Sequence, residues 1–279
     1  MPSRRLFLAS LLSLPATGAL LLPPGRAAAS LPPAIDARYD VRVAGMTVAD
    51  LALTISPEGS RARSTFVMRS RGLAALMSDA FTRFETLSRI APDGTGEPAA
   101  FEAYHYKRDR TREISIRYGE GGALERVELV NQGRDKKSEV PVALQAGTVD
   151  PLTAFLRLRA WLPDAALGRA PATRVIPVFE GRKRFDLEAT WLRTERGKGA
   201  GLPPHHELKV RLVALFGFDR GDDLVSFPDE PQGRWLRVLV QADRRLLPLL
   251  VETVNDRRPA RVTLTEDCRA GARCPALVQ

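Results

Sequence analysis

The two cysteines are the residues whose spacing suggests a definite chemistry. Cys268 and Cys274 are the only cysteines of the chain and enclose five residues. A redox pair usually has two residues between its cysteines, and a structural zinc site needs four ligands, which the distant histidines do not complete. A local pair in an oxidising compartment is typical of a disulfide. We therefore predict a disulfide that holds the C-terminal tail, and no metal or other cofactor.

The three histidines are the other candidates for acid–base or metal chemistry. His205 and His206 are adjacent on a predicted strand, so their side chains point to opposite faces and cannot readily share a metal. His105, between two tyrosines, is typical of a surface histidine with ordinary partners. The chain has no G-x-S-x-G, H-E-x-x-H, P-loop or dinucleotide-binding motif. We therefore predict no catalytic residues, and an enzyme is the least favoured class.

The composition favours a globular protein and argues against a nucleic-acid surface. Hydrophobic residues make up 44% of the 279 residues, enough for a sizeable core, whereas aromatic residues make up 6%, too few for base stacking. The net charge is +9, and the 42 basic residues are mostly arginines scattered along the chain. This pattern is typical of an arginine-rich solvated surface, although a basic body also favours anionic lipids or envelope polymers.

The first 29 residues are typical of a cleaved export signal. A basic start with Arg4 and Arg5 precedes an apolar run and a small-residue exit with Ala27 and Ala29. The order S-R-R-x-F-L is that of a twin-arginine signal, with an ordinary secretory signal as the alternative. No cysteine follows the cleavage site to carry a lipid, and no later segment is apolar enough to span a membrane. We therefore predict one mature domain, residues 30–279, soluble in the periplasm.

Alternation of apolar and polar residues recurs through most of the mature chain and predicts about a dozen strands. Tight turns rich in glycine and proline favour antiparallel pairing of successive strands. Most strands have one apolar face, and a twisted sheet of this size must curl. We therefore predict a mainly β fold, a curled antiparallel sheet that forms a half-open barrel. Thr86 and Ser88 share the predicted inward face with Phe84, and inward hydroxyls favour a lined cavity over a dry core.

One amphipathic helix interrupts the strands. Asp150 is a favourable N-cap, and Pro163 is expected to end the helix. The apolar face of this helix needs a partner, and the concave side of the sheet is the only large candidate. We therefore expect Phe155 and Leu156 to lie against the concave face, within reach of one later strand. The expected contacts on that strand are Leu208, Val210 and Leu212. A shorter helix is predicted at Leu73 to Met77.

Several segments resemble the domain-of-unknown-function 3108 family, a group of uncharacterised proteobacterial envelope proteins. The matching pieces occur in the expected order along most of the mature chain, with departures at Asp50 and Thr153. These pieces are Tyr39-Asp40-Val41 with Gly45, Asp150-Pro151-Leu152-Thr153-Ala154 with Leu156-Arg157, Glu180-Gly181-Arg182-Lys183, and Asp243-Arg244-Arg245-Leu246-Leu247-Pro248. The family is similar in fold to periplasmic lipoprotein carriers and receptors, which implies a half-open barrel with helices in its hollow. The resemblance implies a fold more than a function.

Two functions remain open at this point. The first is a non-catalytic periplasmic carrier that holds a lipid, an acyl chain or a lipidated envelope protein in the curled sheet. The second is a scaffold or protein-interaction module of the envelope with a fully packed barrel. In either case we expect a monomer that binds no nucleic acid and has no stable membrane anchor. For the carrier, the predicted apolar lining is Phe84, Phe155, Leu156, Trp191, Leu208, Val210 and Leu212.

Overall fold

The described chain forms fourteen strands and three α-helices in a computed structural model. The structure describes residues 32–197, 201–220, 224–230, 233–254 and 258–268, together with 274 and 277. The strands are β1 (Ile35–Val43), β2 (Met46–Glu58), β3 (Arg61–Ser70), β4 (Ala80–Ile90), β5 (Gly96–Lys107), β6 (Arg110–Tyr118), β7 (Leu124–Asn131), β8 (Arg134–Lys136), β9 (Thr173–Phe179), β10 (Arg184–Glu195), β11 (His205–Phe216), β12 (Leu236–Gln241), β13 (Pro248–Thr253) and β14 (Ala260–Asp267). The helices are α1 (Leu73–Ser78), α2 (Val142–Gln145) and α3 (Pro151–Ala166).

No helix among these described residues is long and apolar enough to cross a membrane. The predicted export signal, with Arg4, Arg5, Ala27 and Ala29, lies outside the described residues. Its identity and its route therefore stay predictions.

All the strands belong to one antiparallel sheet, in the order β8-β7-β6-β5-β4-β3-β2-β1-β14-β13-β12-β11-β10-β9. Every pairing but one joins strands that are consecutive in sequence. The exception pairs β1 with β14, where Val41 lies opposite Val262, and we call this pairing the seam. The sheet does not close, because β8 and β9 remain as its two edges.

This meander gives the sheet two different ends. Because consecutive strands are antiparallel, the turns after odd-numbered strands lie at one end and those after even-numbered strands at the other. We call the first the open end and the second the plugged end, towards which α3 extends. There Arg157 donates to the carbonyl oxygen of Gly96 at 2.9 Å, and Arg159 donates twice to that of Arg245, at 2.5 and 3.1 Å.

The beginning of α3 is fixed to the inner face of the sheet by buried hydrogen bonds. Oδ1 of the N-cap Asp150 accepts from the backbone N–H groups of Leu152 and Thr153, at 3.0 and 2.9 Å. The same carboxylate accepts from the hydroxyls of Thr86 (2.7 Å) and Thr153 (2.6 Å), and Ser88 bonds the Thr153 hydroxyl at 2.9 Å. Thr86 and Ser88 are fully buried. The interpretation of these hydroxyls as a cavity lining is therefore wrong, because they bind the helix N-terminus.

Apolar packing holds the rest of α3 against the sheet. Leu156 joins a cluster built from β1, β2 and β3, and Ala154 packs against β9. Trp161 and Leu162 pack against strands β10 to β12. Because a fully buried large apolar side chain contributes about 1.5–3 kcal/mol, these contacts outweigh the helix-end hydrogen bonds in total.

The mainly β fold, the unclosed curled sheet and the helix on its concave side are as predicted, and so is the short helix α1. The predicted end of α3 is wrong. Pro163 lies inside the helix, which continues to Ala166. Pro163 removes one N–H donor, but the last turn is held by bonds from Leu167 to the Pro163 carbonyl and from Arg169 to that of Asp164, at 3.2 and 2.8 Å.

Strands β8 and β9 were absent from the prediction, and both are edge strands. β8 has three residues, all charged, so it lacks the alternation of apolar and polar residues that predicts a strand. β9 contains Pro177, which lacks a ladder donor and is tolerated in a sheet only at such an edge. The edge beyond Pro177 is partly covered, because its carbonyl oxygen accepts from the backbone N–H of Val149 at 3.0 Å.

The outer face of β10 to β14 carries a row of alternating charges. Arg193, Glu207, Arg237, Glu252 and Arg261 form consecutive ion pairs at 2.5, 2.8, 3.3 and 2.6 Å. Exposed pairs contribute only about 0–1 kcal/mol each, but the carboxylate of Glu207, which takes part in two of these pairs, is buried. Their main effect is that the arginines on this face already have carboxylate partners.

The C-terminal segment is tied to β1. Cys268 and Cys274 form a disulfide, as predicted. Their backbone N–H groups donate to the carbonyl oxygen and to Oδ2 of Asp36, at 2.9 and 3.1 Å. Glu266 lies close to both sulfurs. Because the sulfurs are bonded to each other, this group offers no thiolate for a metal while the disulfide is intact.

Candidate functional site

A cavity of about 660 Å³ lies at the open end, against the inner face of β4 to β7. One row of directly opposed residues crosses these strands: Thr82 faces His105, His105 faces Arg112, and Arg112 faces Asn131. The member of this row on β4, Thr82, lies two residues before Phe84. Residues two apart on a strand share a face, so the row lies on the same inner face as the apolar core. Because opposed side chains have Cβ atoms about 5 Å apart, the row forms a continuous polar wall.

The hairpin of β5 and β6 sets this register. Its turn consists of Arg108 and Asp109, whose φ angles are both positive, 47° and 61°. A two-residue turn of this kind fixes which residues are opposite, and so brings His105 against Arg112. The turn is the signal from which the pair could have been predicted. It is hard to recognise because such turns usually contain glycine.

The β9–β10 turn approaches the same wall from the other half of the sheet. A Cβ atom added to Gly181, whose φ is 96°, would lie 2.5 Å from Cγ2 of Ile114 on β6. The next residue, Arg182, acts electrostatically on His105 and Arg112. Glycine is required here both by its backbone conformation and by this close approach. The curl of the sheet therefore brings the two halves together at the site.

The cavity carries an excess of positive charge, although Glu180, which is not part of its lining, acts electrostatically on Arg112. Its described lining includes Lys107, Arg108, Arg110 and Arg112 but no carboxylate. None of these four forms an ion pair within the described part of the chain. Nε of Arg112 is buried and has no hydrogen-bond partner among the same residues. A buried donor without a partner costs about 1–3 kcal/mol, a penalty that an incoming acceptor would remove.

The half-buried His105 is neutral near pH 7. Burial, and then the positive charges of Arg112 and Arg182, lower the pKa of His105 from 6.5 to about 4. Its Nδ1 lies 3.4 Å from the Thr82 hydroxyl, and its ring meets the Phe84 ring edge-on at 5.4 Å. An imidazole with so low a pKa is a weak general base near neutral pH. The arrangement therefore favours binding over proton transfer.

The outer face of the same strands has the opposite charge. A shallow concavity there is lined by Glu85, Glu102 and Glu128, together with other residues of β4 to β7. Each of these carboxylates has an arginine partner: Glu85 accepts from Arg63 and Arg83 at 2.5 Å, and the other two form similar pairs. These three carboxylates are thus neutralised, whereas Glu113, in the same lining, forms no ion pair within the described part of the chain.

The seven residues predicted to line one apolar site are distributed over separate parts of the core. Phe84 packs against Phe101, with ring centroids 5.7 Å apart, beside the cationic cavity. Phe155 and Leu156 belong to the cluster of β1 to β3. The remaining four lie on β10 and β11 and are Trp191, Leu208, Val210 and Leu212. A ligand-binding role for this set stays a prediction.

The expected contact of Phe155 and Leu156 with the strand of Leu208 is wrong. Trp161 and Leu162, further along α3, pack against Leu208 instead. The reason is that α3 crosses the sheet obliquely, so that each turn meets a different strand. Periodicity in the sequence identifies the apolar face of a helix but not the direction in which the helix crosses its partner.

The two adjacent histidines have separate environments, as their positions on β11 predicted. His205 is 5% exposed, and its Nδ1 lies 2.9 Å from the carbonyl oxygen of Pro203. His206 pairs with the Thr194 hydroxyl at 2.8 Å. His105, predicted to be a surface histidine with ordinary partners, is the histidine that lines the cavity.

An antiparallel sheet that curls around its own helix without closing defines a β-barrel-like protein, here with a cationic cavity at one end. The chain belongs to the family described as "Protein of unknown function (DUF3108)", which matches residues 38–256 and confirms the resemblance. A β-barrel-like protein of domain of unknown function DUF1849 from Brucella abortus has a similar structure. The TM-score is 0.50 at 10% identity, over 86% of this chain and 98% of that chain. This likeness shows the fold alone. No curated protein matches.

Proposed function

We propose that this protein is a non-catalytic, exported binding module of the cell envelope that takes its ligand or partner at the open end. The observation that carries the proposal is the occupation of the concave face by α3. Eight residues of this helix are buried, and Asp150 ties its beginning to the sheet. The space in which a carrier would hold an apolar molecule is thus filled by the protein's own side chains.

The size and polarity of the cavities support the same choice. An apolar ligand of drug size needs an apolar cavity of about 300–1,000 Å³. The cavity beside α3 at the plugged end, next to Arg159, has only about 190 Å³. The larger cavity at the open end is cationic. These features favour a packed interaction module over a carrier with an acyl chain in its hollow.

Export is the part of the proposal that rests on the pattern of residues 1–29. The disulfide between Cys268 and Cys274 supports it, because such bonds persist in oxidising compartments such as the periplasm. The two residues are tied to Asp36 of β1, so the bond closes a packed structure rather than a free tail.

Native mass spectrometry of protein purified from the periplasm tests the filled barrel. We expect no retained apolar molecule and no binding of an apolar dye. The substitution Phe155→Ala should lower the free energy of unfolding by about 2–4 kcal/mol, because it removes a half-buried ring from the core. It should not create dye binding.

Phe81→Ala is the matched control for this test. Phe81 is half-buried on the outer face, where its ring contacts that of Tyr104. The same chemical change there should cost less and should leave dye binding absent. An uncharged lipid that copurifies with the wild type, or dye binding by the wild type, would favour the carrier and contradict the proposal.

A further inference from the structure

We propose that the cationic cavity at the open end binds the phosphate group of an anionic amphiphile, whose hydrocarbon part contacts the exposed apolar residues of α1. This inference rests on the proposed function, in which the open end is the binding surface. It assigns a chemical class of ligand to that surface.

The wall of the cavity has the groups that a phosphate requires. Arg112 offers a planar guanidinium with an unpaired buried Nε, and Lys107 and Arg110 add further positive charge. Thr82 and Asn131 flank this charge with neutral hydrogen-bonding groups on the same row. This is more positive charge than a single carboxylate would balance, whereas a phosphate carries up to two negative charges and presents several acceptor oxygens.

The nearest acidic groups do not neutralise the wall. Asp109 accepts a hydrogen bond from the Tyr106 hydroxyl at 3.1 Å, on the exposed side of the turn. Burial raises the pKa of Glu180, and the charges of Lys183, Arg182 and Arg112 offset this only in part. Glu180 is a single carboxylate against the charges of Arg112, Arg182 and Lys183, so it balances only part of the positive charge near the cavity.

The apolar part of the ligand has a surface beside the cavity. Leu73, Leu76 and Met77 of α1 are 70%, 85% and 71% exposed, an unusual exposure for three neighbouring large apolar residues. The helix is joined to the cavity by Arg108, whose Nε and Nη2 donate to the carbonyl oxygen of Met77 at 2.9 and 2.7 Å. Apolar residues next to a basic rim are typical of contact with an anionic lipid surface.

The positive charge of the cavity favours an anionic amphiphile over a second copy of the chain as the molecule that binds the cavity and α1. A second copy would bring its own net positive charge, +9 for the whole sequence, towards an already cationic wall. An anionic amphiphile complements both the charge of the cavity and the apolar residues of α1.

Vesicle sedimentation with protein purified from the periplasm tests the inference. We expect binding to phosphatidylglycerol vesicles that weakens as salt is added, and none to phosphatidylcholine vesicles. Arg112→Gln should weaken this binding about tenfold or more, because it removes a charged donor. Arg126→Gln is the matched control. Arg126 is exposed on the outer face of β7, where it pairs with Glu128, so its loss should leave binding unchanged.

Leu76→Ser separates the two parts of the ligand. It should weaken vesicle binding and leave the binding of inorganic phosphate unchanged. Phosphate binding without any binding to phosphatidylglycerol vesicles would overturn the amphiphile. Equal binding to both kinds of vesicle, or unchanged binding by Arg112→Gln, would overturn the cavity as the phosphate site.

Proton NMR of the histidines gives a second measurement on the wild type, which decides the question even where Arg112→Gln does not fold. An anion in the cavity should raise the pKa of His105 from its low value, because it favours the charged imidazole. The titratable and charged groups that surround this ring on β5, β6 and the β9–β10 turn are Lys107, Arg110, Arg112, Glu180, Arg182 and Lys183.

His205 and His206 are internal controls in the same spectra, because they lie on β11 and do not line the cavity. Phosphate should shift the titration of His105 alone, relative to chloride at equal ionic strength. No shift would overturn the inference. A lipid retained in the hollow would instead overturn the proposed function, so the two failures are distinguishable.

Discussion

The two ends of the sheet use arginine in opposite ways. At the plugged end Arg159 is 6% exposed, and its Nε and Nη2 donate to the backbone carbonyls of Arg245 and Pro33. At the open end Arg112 also has a buried nitrogen, its Nε, but this group lies among other cations and has no hydrogen-bond partner within the described residues. Arg159 is thus held by three bonds to backbone oxygens, with only its Nη1 left buried without a partner, whereas Arg112 lies beside Lys107 and Arg110, which form no ion pair among the described residues.

This difference indicates where stability and binding reside in the fold. The plugged end combines α3, its buried N-cap network and apolar clusters, so changes there should affect unfolding most. The open end consists of turns and a polar wall, so changes there should alter the cavity at a lower cost in stability. Three substitutions test this division, from the largest expected effect to the smallest.

Asp150→Ala should have the largest effect. It removes the helix cap and leaves the buried hydroxyls of Thr86 and Thr153 without their acceptor. Together these losses should lower the free energy of unfolding by about 3–5 kcal/mol. Urea unfolding followed by circular dichroism measures the change. Removing an exposed N-cap side chain costs about 1 kcal/mol. A decrease in the free energy of unfolding smaller than this would show that α3 does not anchor the fold.

Gly181→Ala tests the contact between the two halves at the open end. The new methyl group would meet Ile114, and a positive φ disfavours alanine, so we expect a loss of about 1–3 kcal/mol and a shifted His105 resonance. Gly133→Ala is the control, because Gly133 also has a positive φ, 70°, but has open space around it. It should cost about 1 kcal/mol and leave His105 unchanged. Equal losses in both variants would contradict the close approach.

Asp150→Asn should have the smallest effect, a change in the pH dependence of stability. Burial raises the pKa of Asp150 above its ordinary 3.8, although four hydrogen bonds oppose this. The folded state therefore binds the Asp150 proton more tightly than the unfolded state does. The stability that this proton contributes is fully present below pH 3.8 and is lost as the pH rises through the raised pKa.

Asparagine does not titrate, so the Asp150→Asn variant should lack this fall in stability. Unfolding midpoints measured from about pH 4 to about pH 7 reveal the difference. Asp135→Asn, on the exposed strand β8, is the control and should keep the wild-type profile. A wild-type profile in Asp150→Asn would show that burial does not control the titration of Asp150.

The sequence predicts the fold better than it predicts the site, for a physical reason. Alternation and a cap are local signals, so the strands and the beginning of α3 at Asp150 are readable. The cavity depends on non-local geometry: the register that sets His105 against Arg112, and the curl that brings Arg182 to both. Hydrophobicity pointed instead to residues such as Leu208, which the helix covers.

The seam between β1 and β14 also bears on the order in which the chain folds. Every other strand can pair with a neighbour that is synthesised just before or after it, as in a string of hairpins. The seam joins Ala37 to Asp267, near opposite ends of the chain, so its loop closure is entropically the most expensive step. Strands β1 to β8 and β9 to β14 can therefore form as separate meanders. They become one sheet only after β14 has been synthesised.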